Sequence, residues 1–239
     1  MIPLVFVHGF MGGSAQWRGQ TDALVDHCET IALDLPGFGK NAHLPPIATI
    51  GRFADWVIAE LDHRDVQRFH LLGHSMGGMI AQEIATRIPD RIEKLILYAT
   101  GSIGVLPGRF ETIAQSKARA TAEGAKATAR RIAATWFLHG SESPAYEDCA
   151  AIAERAGPNA ILAGLNAMES WSGHDALPDL SCSTLLIWGD RDRTYTWPQI
   201  DKLWKTIPQT SLSVIPNCAH AVHLECPKQF NDVLVSSIQ

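Results

Sequence analysis

Long hydrophobic runs are absent from this 239-residue sequence. No apolar stretch reaches the roughly eighteen residues that a spanning helix needs, so a helical membrane protein is excluded. Basic residues are outnumbered: 20 Lys and Arg stand against 25 Asp and Glu, a formal charge of −5. A nucleic-acid binder needs a basic surface for its phosphate contacts, so that class is set aside. Cysteines are few. The five, at 28, 149, 182, 218 and 226, show no C-x-x-C spacing, which removes the usual zinc and redox motifs. A reduced, cytoplasmic protein is expected. No H-x-H or H-E-x-x-H pattern organises the ten histidines, so no metal is expected. Internal repeats and low-complexity linkers are missing too. With 46% hydrophobic and 19% charged residues the chain is neither disordered nor a coiled coil.

What is present is a rhythm of short β-branched runs, glycine-rich turns and helical stretches. Strands are predicted at 3–7, 30–33, 68–72 and 95–99, and again at 184–188 and 211–215. The first of these is apolar without a basic leader, so it reads as a strand and not a signal peptide. Helices are predicted at 16–26, 50–61, 76–87, 198–206 and 227–237. Alternating strands and helices imply an α/β fold with a mostly parallel sheet covered on both faces. Residues 103–178 break the rhythm with no convincing strand. Helices are predicted there at 110–137, 144–156 and 160–171. The division expected is a core of 1–102 and 179–239 carrying a helical insertion at 103–178.

Gly73-His74-Ser75-Met76-Gly77 fits G-x-S-x-G, between an apolar strand and a helical stretch. That is the setting of a nucleophile elbow. Ser75 would take a strained backbone conformation at the tip, with glycines where strand and helix pass closely. A glycine turn with an ordinary helix-capping serine is the alternative. A serine nucleophile needs a base held by a carboxylate. Two strand ends downstream supply candidates: Asp190 and Asp192 after 184–188, and His220 and His223 after 211–215. The residues alone leave both choices open.

His8-Gly9-Phe10, Asp34-Leu35-Pro36-Gly37-Phe38-Gly39, Gly73–Gly78, Gly189-Asp190-Arg191-Asp192 and Ala219-His220 together resemble the α/β-hydrolase family. The resemblance covers nearly the whole chain. It implies a triad of Ser75, Asp192 and His220, with Asp190 a loop-stabilising carboxylate and His223 packed beneath the loop near Glu225. It implies an oxyanion hole from the backbone N–H groups of Phe10 and Met76, with Met11 the fallback donor. His8 and His74 would be supporting residues, and 103–178 a cap over the site. Many members of that family carry an additional strand pair before the His-Gly loop; His8 comes almost at once here, so about six strands are expected instead of eight. Serine at 75 disfavours the family branches that form an alkyl ester on a carboxylate.

The expected activity is hydrolysis of a small or medium carboxylic ester or lactone, with no cofactor and no membrane or nucleic-acid partner. The chain would act as a monomer or homodimer. Met11, Trp136, Phe137, Met168, Trp171 and His223 are the candidate pocket residues. The alternatives are a carbon–carbon bond hydrolase or a menaquinone-pathway-synthase-like lyase, and outside enzymes a hydrolase-fold ligand receptor. Arg109, Lys117, Arg119, Lys126, Arg130 and Arg131 give the insertion a local basic excess. It is read first as a solvated helix face and second as a guide for an anionic substrate.

Overall fold

A computed structural model describes residues 1–107 and 111–239. In chain order the elements are β1 (Leu4–Val7), α1 (Arg18–Leu24), β2 (Thr30–Leu33), α2 (Ile50–His63), β3 (Phe69–His74), α3 (Met76–Arg87) and β4 (Ile92–Tyr98). Then come α4 (Ile113–Glu123), α5 (Ala125–Ala134), α6 (Tyr146–Ala153) and α7 (Pro158–Glu169). The last part holds β5 (Thr184–Gly189), α8 (Trp197–Thr206), β6 (Thr210–Ile215), α9 (Val222–Glu225) and α10 (Pro227–Ile238).

Among the described residues the six strands form one sheet in the order β2-β1-β3-β4-β5-β6, and every neighbouring pair is parallel. Side chains alternate along each strand, so successive residues serve opposite faces. Val5 and Val7 of β1, Leu95 and Leu97 of β4, and Leu186 and Trp188 of β5 join one core with α2, α3 and the helices of 113–169. Leu4, Phe6, Ile96, Tyr98, Leu185 and Ile187 join the other, against Trp17, Leu24, Phe230 and Leu234. Helix α2 shows how the sequence builds such a layer. Thr49 accepts from the Arg52 N–H as its N-cap, and Ile50, Phe53, Ala54, Val57 and Leu61 are buried on one stripe. Each large apolar side chain there contributes about 1.5–3 kcal/mol.

Strand order reverses between β1 and β3, the point where open α/β sheets form their crevice. The loops carrying Phe10 and Ser75 leave the sheet there.

Among its described residues, the segment between β4 and β5 adds no strand to the sheet; one isolated antiparallel bridge joins Ile103 to Ser172. The helix predicted over 110–137 is instead two helices, α4 and α5. Gly124 separates them with φ 81°, a conformation a helix interior does not allow. Its predicted first residue, Phe110, lies outside the described residues, as does Arg109. The other five basic residues named for the insertion's local excess are paired. Lys117 meets Glu169, Arg119 and Arg131 meet Glu111 and Glu123, Lys126 meets Glu154, and Arg130 meets Glu147 and Glu154. The carboxylates of Glu147, Glu154 and Glu169, far in sequence from these bases, remove most of the expected positive field. No helix among the described residues is long and apolar enough to cross a membrane.

Candidate active site

Ser75 stands between β3 and α3 with φ 56° and ψ −120°, a strained conformation for a residue with a Cβ. Such a backbone costs about 1–3 kcal/mol and persists only where its surroundings enforce it. Here they do. The Ser75 N–H donates to Tyr98 O at 2.9 Å, and Thr100 Oγ1 donates to Ser75 O at 2.8 Å. The glycines are demanded by contact: a Cβ on Gly73 would lie 2.2 Å from Gly77 O, and one on Gly77 would lie 2.2 Å from Val7 O. Ser75 makes no side-chain cap bond to α3, so its hydroxyl is not used as an ordinary helix cap.

The two downstream loops separate the rival carboxylates. Asp192 Oδ2 lies 2.9 Å from His220 Nδ1, and both side chains are almost completely buried. Asp192 Oδ1 accepts the N–H groups of Thr194 at 2.7 Å and Tyr195 at 3.2 Å. Asp190 turns away. It accepts the Asn217 N–H at 2.7 Å and sits 3.5 Å from Arg191. With Nδ1 engaged by a carboxylate, Nε2 is the remaining nitrogen of His220. Ser75 and His220 line one cavity, and no hydrogen bond joins them among the described residues. Catalytic hydrogen bonds are commonly long before substrate enters.

His8 fixes the β1 loop: its Nδ1 donates to Gly9 O at 2.7 Å and its Nε2 accepts the Leu35 N–H at 3.0 Å. Burial holds His8 below its ordinary titration range and His74 far below, so both rings are neutral. Among the described residues, neither the Phe10 nor the Met76 N–H donates to a protein acceptor. Met76 opens α3, where the helix dipole adds positive potential.

The cavity is lined from the core by Gly9, Phe10, Gln16, Ser75, Tyr195 and His220, and from the insertion by Leu106, Ile132, Thr135, Trp136 and Met168. Of the expected pocket residues, Trp136 and Met168 are in place. Met11 and Phe137 are fully buried in the core and are not among the described residues that line the cavity. Trp171 lines a different cleft, where its Nε1 donates to Glu83 at 2.9 Å. His223 is packed behind the site, stacked on Trp17 at 4.4 Å. No Lys or Arg is among the described lining residues. Sequence reasoning missed Gln16, whose Oε1 caps the Gly13 N–H, and Tyr195, whose ring lies near-parallel to His220 at 5.7 Å. The sequence did carry one signal for Tyr195, its position three residues after Asp192.

Glu225 ties the insertion to the histidine loop. One oxygen accepts the Leu138 N–H and the other the Ala219 N–H, each at 2.6 Å. The Ala221 N–H adds a bond to Trp136 O at 2.9 Å, and Arg193 donates to Phe137 O at 2.9 Å.

A strained serine at the end of β3, opposite a carboxylate-bound histidine on one parallel sheet, agrees with the sequence match. Residues 4–233 fit the profile of the alpha/beta hydrolase family. The chain belongs to that family. Within it, this α/β hydrolase is 28% identical over 241 residues to a pimeloyl-(acyl-carrier protein) methyl ester esterase of Aeromonas hydrophila, covering 97% of this chain and 93% of that protein. It is also 28% identical over 243 residues to a dihydrolipoyllysine-residue acetyltransferase component of an acetoin cleaving system from Pseudomonas putida. The chain is covered to 99% in that match but spans only 63% of the Pseudomonas protein. A thermophilic esterase from Thermogutta terrifontis superposes with a TM-score of 0.89 at 28% identity, covering 99% of this chain and 89% of that one.

Proposed function

We propose that this α/β hydrolase is a serine carboxylic-ester hydrolase acting on small or medium esters or lactones. Ser75 is the nucleophile, His220 the general base and Asp192 the carboxylate that orients it. The observation that carries the reading is the buried Asp192–His220 pair sharing a cavity with a serine held at positive φ. The esterase names of similar proteins support the reaction class.

Asp192 accepts from Nδ1–H, which leaves the Nε2 lone pair to take the Ser75 proton as Oγ attacks the ester carbonyl. The oxyanion then receives the Phe10 and Met76 N–H groups, which spend no bond on the described residues beforehand. His220 returns the proton to the leaving alcohol, and then activates water to release the acyl group from Ser75. Residues 103–178 act as the cap. Its Leu106, Ile132, Trp136 and Met168 present apolar surface to the acyl or alcohol group, with Gln16 and Thr135 as polar contacts. No Lys or Arg stands among the described lining residues, which favours a neutral substrate over the anionic one the sequence allowed.

The test is turnover of short-chain p-nitrophenyl esters by the wild-type protein and by Ser75→Ala. Loss of about a thousandfold or more in kcat in the variant is expected. Equal rates would remove the serine mechanism.

A further inference from the structure

We infer that Tyr98 is a positioning residue for His220, acting through the histidine's own backbone carbonyl. The inference rests on the proposed role of His220 as general base.

Tyr98 ends β4 and is fully buried. The strand register sets it beside His74, the last residue of β3. These two neighbouring strand ends aim two donors at one acceptor. Tyr98 Oη donates to His220 O at 2.9 Å, and His74 Nε2 lies 3.2 Å from the same oxygen. His220 lies in the loop after β6, with no strand partner of its own to fix it. A backbone atom of His220 itself is therefore held by side chains of the adjacent strands.

Proton accounting supports this assignment. Tyr98 has one hydroxyl proton and three polar neighbours: His220 O, His223 Nδ1 at 3.0 Å and the His223 N–H at 3.2 Å. If the proton went to His223 Nδ1, the His223 ring would carry its hydrogen on Nε2. That atom is buried with no partner among the described residues. An orphaned buried N–H is among the costliest polar defects, whereas a bare ring lone pair costs less. The Tyr98 proton therefore goes to His220 O, His223 donates through Nδ1–H, and the tyrosine oxygen accepts twice. The carbonyl of His220 receives a donor on each lone pair.

The cluster has little room to shift. Trp17 stacks on His223 at 4.4 Å, and Phe230 packs on Tyr98 at 4.8 Å. Gln20 donates to His223 O at 2.9 Å, so the loop is tied at both 220 and 223. Removing the Tyr98 hydroxyl loosens the end that carries the base. A displacement of about 1 Å in a reacting group costs on the order of a hundredfold in rate.

The experiment is steady-state turnover of p-nitrophenyl butyrate with thermal melting of each protein. Wild type and Ser75→Ala come first, because inactive wild type would sink the esterase reading and not this one. With wild type active, Tyr98→Phe is expected to lower kcat by about 10–100-fold with KM within about threefold. Trp17→Phe, which disturbs the same core without touching His220 O, is expected to lower Tm and keep kcat. 3-Fluorotyrosine installed at position 98 keeps the one donor and both lone pairs and is expected to hold kcat within about threefold of wild type. Wild-type kcat in Tyr98→Phe overturns the inference, as does an equal kcat loss in Trp17→Phe. Should Tyr98→Phe fail to fold, nitrogen NMR of the His223 ring in the wild-type protein decides: a proton on Nδ1 supports the inference, and a proton on Nε2, which would send the Tyr98 proton to His223, overturns it.

Discussion

Asp192 Oδ2 lies 2.9 Å from His220 Nδ1, while Asp190, two residues earlier, accepts the N–H of Asn217 instead. Period-two alternation does not carry the two carboxylates to one place, because the chain turns straight after β5. The Asp192 N–H bonds back to Gly189 O at 3.0 Å and the Arg191 N–H to Cys218 O at 2.9 Å. Asp192→Asn is expected to lower kcat by on the order of ten-thousandfold, since an amide cannot hold the imidazole in the required tautomer. Asp190→Asn keeps an acceptor for Asn217 and is expected to retain kcat within about tenfold. Parallel kinetics of the two variants check this; the opposite ranking would reassign the acid.

Buried histidines make stability depend on pH. An unfolded histidine titrates near about 6.5. In the folded chain burial, with the neighbouring His220 adding to it, takes His223 down to about 3. Between those values the unfolded state binds the extra proton, so stability is full above about 6.5 and falls as pH drops toward 3. Each such group lowers stability by about 1–2 kcal/mol between pH 7 and 5. His223→Gln is expected to flatten the dependence of the urea midpoint over that interval. An unchanged slope would show that His223 does not resist protonation.

Glu225 joins Leu138 of the insertion to Ala219 beside the base. Glu225→Gln turns one accepting oxygen into a donor facing an N–H. A loss of about 1–3 kcal/mol in stability is expected. A fall in kcat should accompany it, because the displaced N–H precedes His220. Denaturant midpoints and kcat measured together check both effects.

Two glycines should respond oppositely to a methyl group. Gly77→Ala places a Cβ 2.2 Å from Val7 O, so loss of folded protein or of activity is expected. At Gly19, within α1, a Cβ meets nothing within 4 Å. Gly19→Ala is expected to raise stability by up to about 1 kcal/mol. Melting curves of the two variants decide it.

The sheet was legible because each strand is a short apolar run bounded by turn residues, and all six appear close to where the pattern places them. Strand ends singled out Ser75, the Asp190 and Asp192 pair and the His220 and His223 pair; the choice of Asp192 and His220 within those pairs came from the family resemblance. The cavity lining was harder. Trp136 and Phe137 are adjacent and equally apolar, yet one lines the cavity and the other is buried in the core. Which one faces inward depends on how the segment after α5 packs on the histidine loop, a tertiary relationship that no local period encodes. Gly124 did announce the break between α4 and α5, but the surrounding alanines favoured one continuous helix. Tyr98 reads as an ordinary strand-end core residue until the His220 loop folds over it.

The central claim is that Ser75 is an activated nucleophile with His220 as its base. Reaction with a fluorophosphonate, followed by intact mass and peptide mapping, tests it most directly. The account predicts one adduct, on Ser75, formed rapidly by the wild-type protein and slowed by orders of magnitude in His220→Ala. An adduct elsewhere, or equal labelling of the two proteins, would contradict it.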